Sequence, residues 1–358
     1  MTLAILALTI ALAGANGAND VPKGVATLGG AGVTTYRRAI WWGTAATLVG
    51  SLLSLVFAER LTKLFTTGIV TETPTPVFTL AVLVGACAWV AFATATRLPV
   101  STTQSIVGAL VGAGLVLGSG VVDWGALSET IVVPSLLAIG AAYGISCLLN
   151  LVQFPARDCV CVGIGRPSQP PEGGRESGFV AVPDVRFETG ALPDCRVHGD
   201  ASAHVALTVN RLHWLSAGAA SMARGLNDTP KIVAVGAFAL VPAGMGSRGV
   251  LLCVAAGMLA GSLLFGTRVA HRLGGDVVEM DPVEACKANL TTAALVGLAA
   301  NRGLPLSTTQ VSASAIAGAS GAHPRRLHGR TIRDFLLAWT VTPVTAGLVA
   351  AATYAVLR

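Results

Sequence analysis

The chain has 358 residues, of which 12% are charged and 53% hydrophobic, and its formal net charge is +6. Soluble domains carry about 25% charged residues, so the polar surface is too small for an ordinary cytosolic enzyme, a disordered regulator or a nucleic-acid-binding protein. The apolar runs are continuous over roughly 20 residues and do not alternate, which disfavours a β-barrel and indicates spanning helices.

In chain order, apolar segments fall near 3–31, 39–58, 77–97, 101–119 and 128–153. After a polar stretch they resume near 207–226, 228–245, 249–267, 283–301, 304–321 and 332–357. The opening MTLAILALTI has no basic leader and reads as a retained first helix rather than a signal peptide. Residues 154–205 are rich in Pro, Gly and charge, and read as a hydrophilic cytoplasmic linker with little fixed structure. They divide an N-terminal transmembrane repeat, 1–153, from a C-terminal one, 206–358. The seven cysteines are irregularly spaced and imply no disulfide framework. Cys159, Cys161, Cys195 and His198 lack a convincing zinc-site spacing.

The two halves repeat each other. Gly-x-Asn-Asp-x-Pro-Lys occurs at Gly17–Lys23 and again at Gly225–Lys231. LPVSTTQ at 98–104 is matched by LPLSTTQ at 304–310. Each half therefore runs from an interrupted Asn-Asp helix through two spans to a Ser-Thr-Thr-Gln segment and a last helix. Basic loops carry Arg37 and Arg38, Arg157, Arg268 and Arg272, and Arg325, Arg326, Arg330 and Arg333. Glu72, Asp123 and Glu129 mark the other side. With basic loops inside, five crossings per half place both termini outside and invert the second half relative to the first. The fold expected is an all-α polytopic membrane protein of two inverted-topology repeats, with interrupted helices or re-entrant hairpins.

Asp20, Lys23, Asp228 and Lys231 lie within or beside apolar segments. An ionised side chain at membrane depth costs at least ~2.5–3.5 kcal/mol on insertion scales, so each needs a cavity or a partner. One reading is mutual neutralisation, Asp20 with Lys23 and Asp228 with Lys231. The other takes Asn19, Asn227 and the helix breakers Gly17, Pro22, Gly225 and Pro230 as signs of unwound backbone, whose carbonyls join Asp and Asn oxygens to hold a small cation.

Ser101, Thr102, Thr103 and Gln104 follow Pro99; Ser307, Thr308, Thr309 and Gln310 follow Pro305. Proline at the first turn leaves a helix N-terminus just downstream. Its orphan N–H groups, with neutral hydroxyl and amide donors, suit a tetrahedral oxyanion. N-capping by the same hydroxyls is the competing reading. Arg97 and Arg302 stand before the two motifs, where they attract anions or snorkel.

These four motifs resemble those of the inorganic phosphate transporter family. The resemblance implies a homodimer of inverted-repeat protomers in the plasma membrane, importing inorganic phosphate by sodium or proton symport without a cofactor other than sodium ions. It implies that Asn19, Asp20, Asn227 and Asp228 help hold cations and substrate, and that the two Ser-Thr-Thr-Gln runs hold phosphate oxygens. The chain departs from the family pattern at Pro22 and Lys23, and at Gln104 and Gln310. The spacing of Lys23 and Lys231 suggests that an ammonium group takes a place that sodium occupies in relatives; the other readings put the lysines at the membrane surface or pointing at the phosphate. A sulfate or other oxyanion permease of the same fold and a non-transporting anion sensor are the alternative functions. No enzyme motif is present.

Overall fold

The computed structural model describes residues 1–57, 59–118, 120–151, 159–165, 185–190, 201–276, 280–320 and 329–358. The N-terminal half holds α1 (Thr2–Gly30), α2 (Tyr36–Phe57), α3 (Glu59–Lys63), α4 (Pro76–Ala95), α5 (Thr102–Leu117), α6 (Trp124–Leu127) and α7 (Val133–Leu149). The C-terminal half holds α8 (Val209–Leu240), α9 (Ser247–Asp276), α10 (Pro282–Asn301), α11 (Thr308–Ala319) and α12 (Gly329–Leu357). Among the described residues six helical stretches are long and apolar enough to cross a membrane. Leucines such as Leu136, Leu264 and Leu348 are exposed on them, as a lipid-facing exterior requires.

The packing follows the sequence repeat. α5 packs on α12 as α11 packs on α7, and α4 meets α12 as α10 meets α7. α1 lies along α9, while α2 lies along α8. Gly24 approaches Ser221 and Gly236 approaches Thr9, so α1 and α8 run in opposite directions. The loop after α3 and the loop before α6 pair through an isolated bridge between Val70 and Val122. This puts Glu72 and Asp123 at one end of the bundle. At the other end, Arg272 donates to the Thr96 carbonyl and the Tyr36 ring packs at a tilt against His271. The basic loops 36–38 and 268–272 thus share that end. Arg157, Arg325 and Arg326 lie outside the described residues.

Three expectations are corrected. First, the Asn-Asp segments are not unwound: α1 and α8 are continuous through Pro22 and Pro230. Second, the apolar segments 207–226 and 228–245 therefore form one helix. The glycines serve packing instead. A Cβ at Gly17 would strike the Met258 carbonyl of α9, and one at Gly225 the Thr47 carbonyl of α2. The chain breaks come at the other motif, between α4 and α5 and between α10 and α11. At about 1.5 Å per residue, the 16-residue α5 and 12-residue α11 are too short for a ~30 Å hydrocarbon core. Both breaks begin with a left-handed residue, Arg97 at φ 60° and Gly303 at φ 77°.

The third correction concerns the linker. Gln153–Leu215 is a separate compact unit. It contains β1 (Cys159–Gly165), β2 (Val185–Gly190) and β3 (Ala201–Thr208) in an antiparallel sheet of order β2-β1-β3. The stretch CVCVGIG carries three β-branched residues in seven and no strong helix former, as suits the central strand. Cys195 and His198 lie outside the described residues.

Candidate functional site

The site is built where the two chain breaks meet. Ser101 begins α5 as its N-cap, accepting from the Gln104 N–H, and Ser307 does the same for α11 with the Gln310 N–H. The capping reading of these two serines is thus realised. Their hydroxyls also touch: Ser307 Oγ donates to Ser101 Oγ at 2.9 Å. The first intrahelical bonds are Ser105 N–H to the Ser101 carbonyl and Val311 N–H to the Ser307 carbonyl. The N–H groups of Thr102, Thr103, Thr308 and Thr309 precede those bonds, so two helix N-termini converge with their orphan donors.

The repeats interlock across this junction. Thr309 Oγ1 donates to the Val100 carbonyl at 3.0 Å, and Thr103 Oγ1 to the Leu306 carbonyl at 3.4 Å. Each ammonium group then bridges both halves. Lys23 Nζ pairs with Asp20 and also reaches the Val100 carbonyl at 2.6 Å and Thr309 Oγ1 at 2.7 Å. Lys231 Nζ meets Asp228 Oδ1 at 3.2 Å, the Leu306 carbonyl at 3.0 Å and Thr103 Oγ1 at 2.6 Å. Each ammonium therefore sits in a cage of a carboxylate, a carbonyl and a hydroxyl oxygen. These are the hard oxygen ligands that a small cation takes. The mutual neutralisation read from the i, i+3 spacing is present in both halves.

The asparagines do different work. Asn19 Nδ2 donates to the Leu98 carbonyl at 2.9 Å while its Oδ1 accepts from Val100 N–H at 3.2 Å. It thereby clamps the 98–100 loop to α1. Asn227 Nδ2 donates to the Leu306 carbonyl at 3.0 Å and to Asp228 Oδ1 at 2.9 Å. Thr102 is held by Asn16 at 2.9 Å and donates to Asp20 Oδ2 at 3.2 Å. Thr308 is buried, as is Gln310, and the Oε1 atoms of Gln104 and Gln310 have no hydrogen-bond partner among the described residues. Arg97 and Arg302 are exposed at the ends of α4 and α10.

All fourteen residues singled out in the motifs are thus drawn to one junction between the halves. A model of the phosphate transporter family matches residues 16–350. The chain belongs to that family. Its members are transporters rather than enzymes. A protein of Mycobacterium leprae named "Probable low-affinity inorganic phosphate transporter" is 27% identical, over 95% of this chain and 74% of its own length. One of the same name from Mycobacterium tuberculosis is also 27% identical, over 100% of this chain and 78% of its own. A solved structure titled "The sodium-dependent phosphate transporter" superposes with a TM-score of 0.72 at 20% identity, covering 99% of this chain and 98% of that one. At that identity the likeness is one of fold.

Sequence reasoning missed two members of the site. Asn16 joins Asp20 to Thr102. Arg224, 1% exposed, occupies the equivalent place in α8 and donates to Ser312 of α11. Position 16 carries an amide and position 224 a cation, so the repeat comparison that picked out the shared residues passes over both. The usable signal was a charge inside an apolar segment one turn before Asn227.

Proposed function

We propose that this family member is a secondary active transporter that imports inorganic phosphate across the plasma membrane by alternating access. The carrying observation is the meeting of two helix N-termini, one from each repeat, at Ser101 and Ser307. Their convergence supports an oxyanion site, and their supply by two antiparallel halves supports exchange of access from one side to the other. Opening the site means parting the Ser101–Ser307 contact. Threonine hydroxyls and glutamine amides both donate and accept, so they can read a protonated phosphate oxygen. Sulfate offers no such proton near neutral pH, and this favours phosphate.

The coupling ion follows from the cages. Their oxygens are already taken by the chain's own ammonium groups, a poor fit for sodium at those two positions. Protons are therefore the coupling ion. The basic end of the bundle faces the cytoplasm by the positive-inside rule, with both termini outside, and the protomers pair as a homodimer.

Uptake of labelled phosphate into proteoliposomes tests the function. Accumulation that is competed by unlabelled phosphate and little affected by sulfate is the expected result. Binding without accumulation would leave only an anion sensor, and equal competition by sulfate would leave a general oxyanion permease.

A further inference from the structure

Among the described residues, Arg224 is the largest side chain to be fully buried. Its side chain is 1% exposed, and its Nη2 donates to Ser312 Oγ, yet Nε and Nη1 have no hydrogen-bond partner among the described residues. Buried guanidinium donors are costly unless matched. An acceptor is at hand one turn along α8, but Asp228 Oδ2 itself has no hydrogen-bond partner among the described residues. No hydrogen bond thus joins the arginine to that carboxylate oxygen. At the equivalent position of the first repeat, Asn16 uses its amide on Asp20 and Thr102, so the fold can be closed there without a charge.

The charge balance points the same way. Asp20 and Asp228 are each matched by a lysine. Arg224 lies within electrostatic reach of both carboxylates and of Lys23. Two carboxylates and three cations leave this buried group with one positive charge uncompensated. An anion entering beside α11 would supply both missing features: oxygen acceptors for the free N–H groups and the balancing negative charge.

We infer that Arg224 is a substrate-binding residue, donating from its unpartnered N–H groups to phosphate oxygens while Ser312 holds the guanidinium in place. This deepens the proposed function and rests on it. It makes the site asymmetric: the second repeat supplies the charge that holds the anion, and the first supplies neutral donors. Guanidinium donors suit a phosphate group through charge-assisted hydrogen bonds.

Binding of labelled phosphate to detergent-purified protein, by scintillation proximity, tests the inference. Arg224→Gln should weaken phosphate binding by roughly tenfold or more, since charge-assisted hydrogen bonds are lost. Arg224→Lys, which keeps the charge, should fall between the two. Phosphate should raise the unfolding temperature of the wild type and not that of Arg224→Gln. A purely structural arginine would give a less stable protein with its phosphate-induced rise intact. Monodisperse Arg224→Gln that binds phosphate within threefold of wild type would overturn the inference. Should that variant not fold, Arg224→Lys with wild-type affinity would overturn it. Wild-type protein that binds no phosphate would instead refute the proposed function.

Discussion

Removing one ammonium group from its oxygen cage probes the coupling proposal most sharply. Lys231→Ala leaves Asp228, 2% exposed, without its ionic partner, and takes one donor each from the Leu306 carbonyl and the Thr103 hydroxyl. Breaking a buried ion pair on one side costs about 3–5 kcal/mol. Whole-protein stabilities are only about 5–15 kcal/mol, so a single variant remains measurable, whereas Lys23→Ala combined with Lys231→Ala approaches the limit. The emptied cage keeps three oxygen ligands, and sodium becomes the natural occupant. A cation present at about 100 times its dissociation constant restores about 2.7 kcal/mol, more than half of the smaller estimate. Thermal unfolding in sodium and in choline buffers is the assay. The wild type should unfold at the same temperature in both, and Lys231→Ala should be destabilised in choline and largely recovered in sodium. Phosphate uptake by the variant should acquire a sodium requirement. A wild type stabilised by sodium to the same degree as the variant would refute the reasoning, because its cages would then be open to the ion.

Other outcomes follow from the same contacts. Thr102→Val with Thr308→Val keeps volume and deletes two hydroxyls, so phosphate affinity should fall by roughly tenfold or more per site, each buried donor to an anion being worth ~1.5–3 kcal/mol. Unchanged affinity in a binding assay would remove these threonines from the site. Gly17→Ala drives a methyl group into the Met258 carbonyl and should destabilise by about 1–3 kcal/mol. Gly297→Ala meets only the Ala223 methyl at 3.9 Å and should be neutral or stabilising by up to ~1 kcal/mol, with thermal unfolding reading both. Cysteines placed at Glu72 and Asp123 should react with an impermeant maleimide on intact cells, and one at Arg37 only in inverted vesicles. Equal labelling at all three would contradict the orientation.

The parts of the fold legible from the chain are those that hydropathy and repetition report. Eleven apolar segments foreshadow the helices, and the paired motifs foreshadow the interlock at Ser101 and Ser307, because both repeats must bring equivalent residues to one axis. Proline and glycine were the weaker signals. Pro22 and Pro230 suggest broken helices, yet α1 and α8 run through them without a break, and Gly17 and Gly225 answer to close approach by α9 and α2 instead. Asn19 looks like a ligand from the sequence, and its clamping of the 98–100 loop depends on a carbonyl 79 residues away. Arg224 eludes the repeat comparison because only one half carries it. The small sheet within Gln153–Leu215 is hidden by the surrounding Pro, Gly and charge, which dominate composition while three short strands pair antiparallel.

The driving force for phosphate is the most direct test of the account. Wild-type protein in sodium-free proteoliposomes should accumulate labelled phosphate when an inward proton gradient is imposed, and a protonophore should abolish the accumulation. The chain's own Lys23 and Lys231 then stand where a sodium ion is not required. Phosphate accumulation that occurs only with an inward sodium gradient, and is indifferent to the proton gradient, would contradict it.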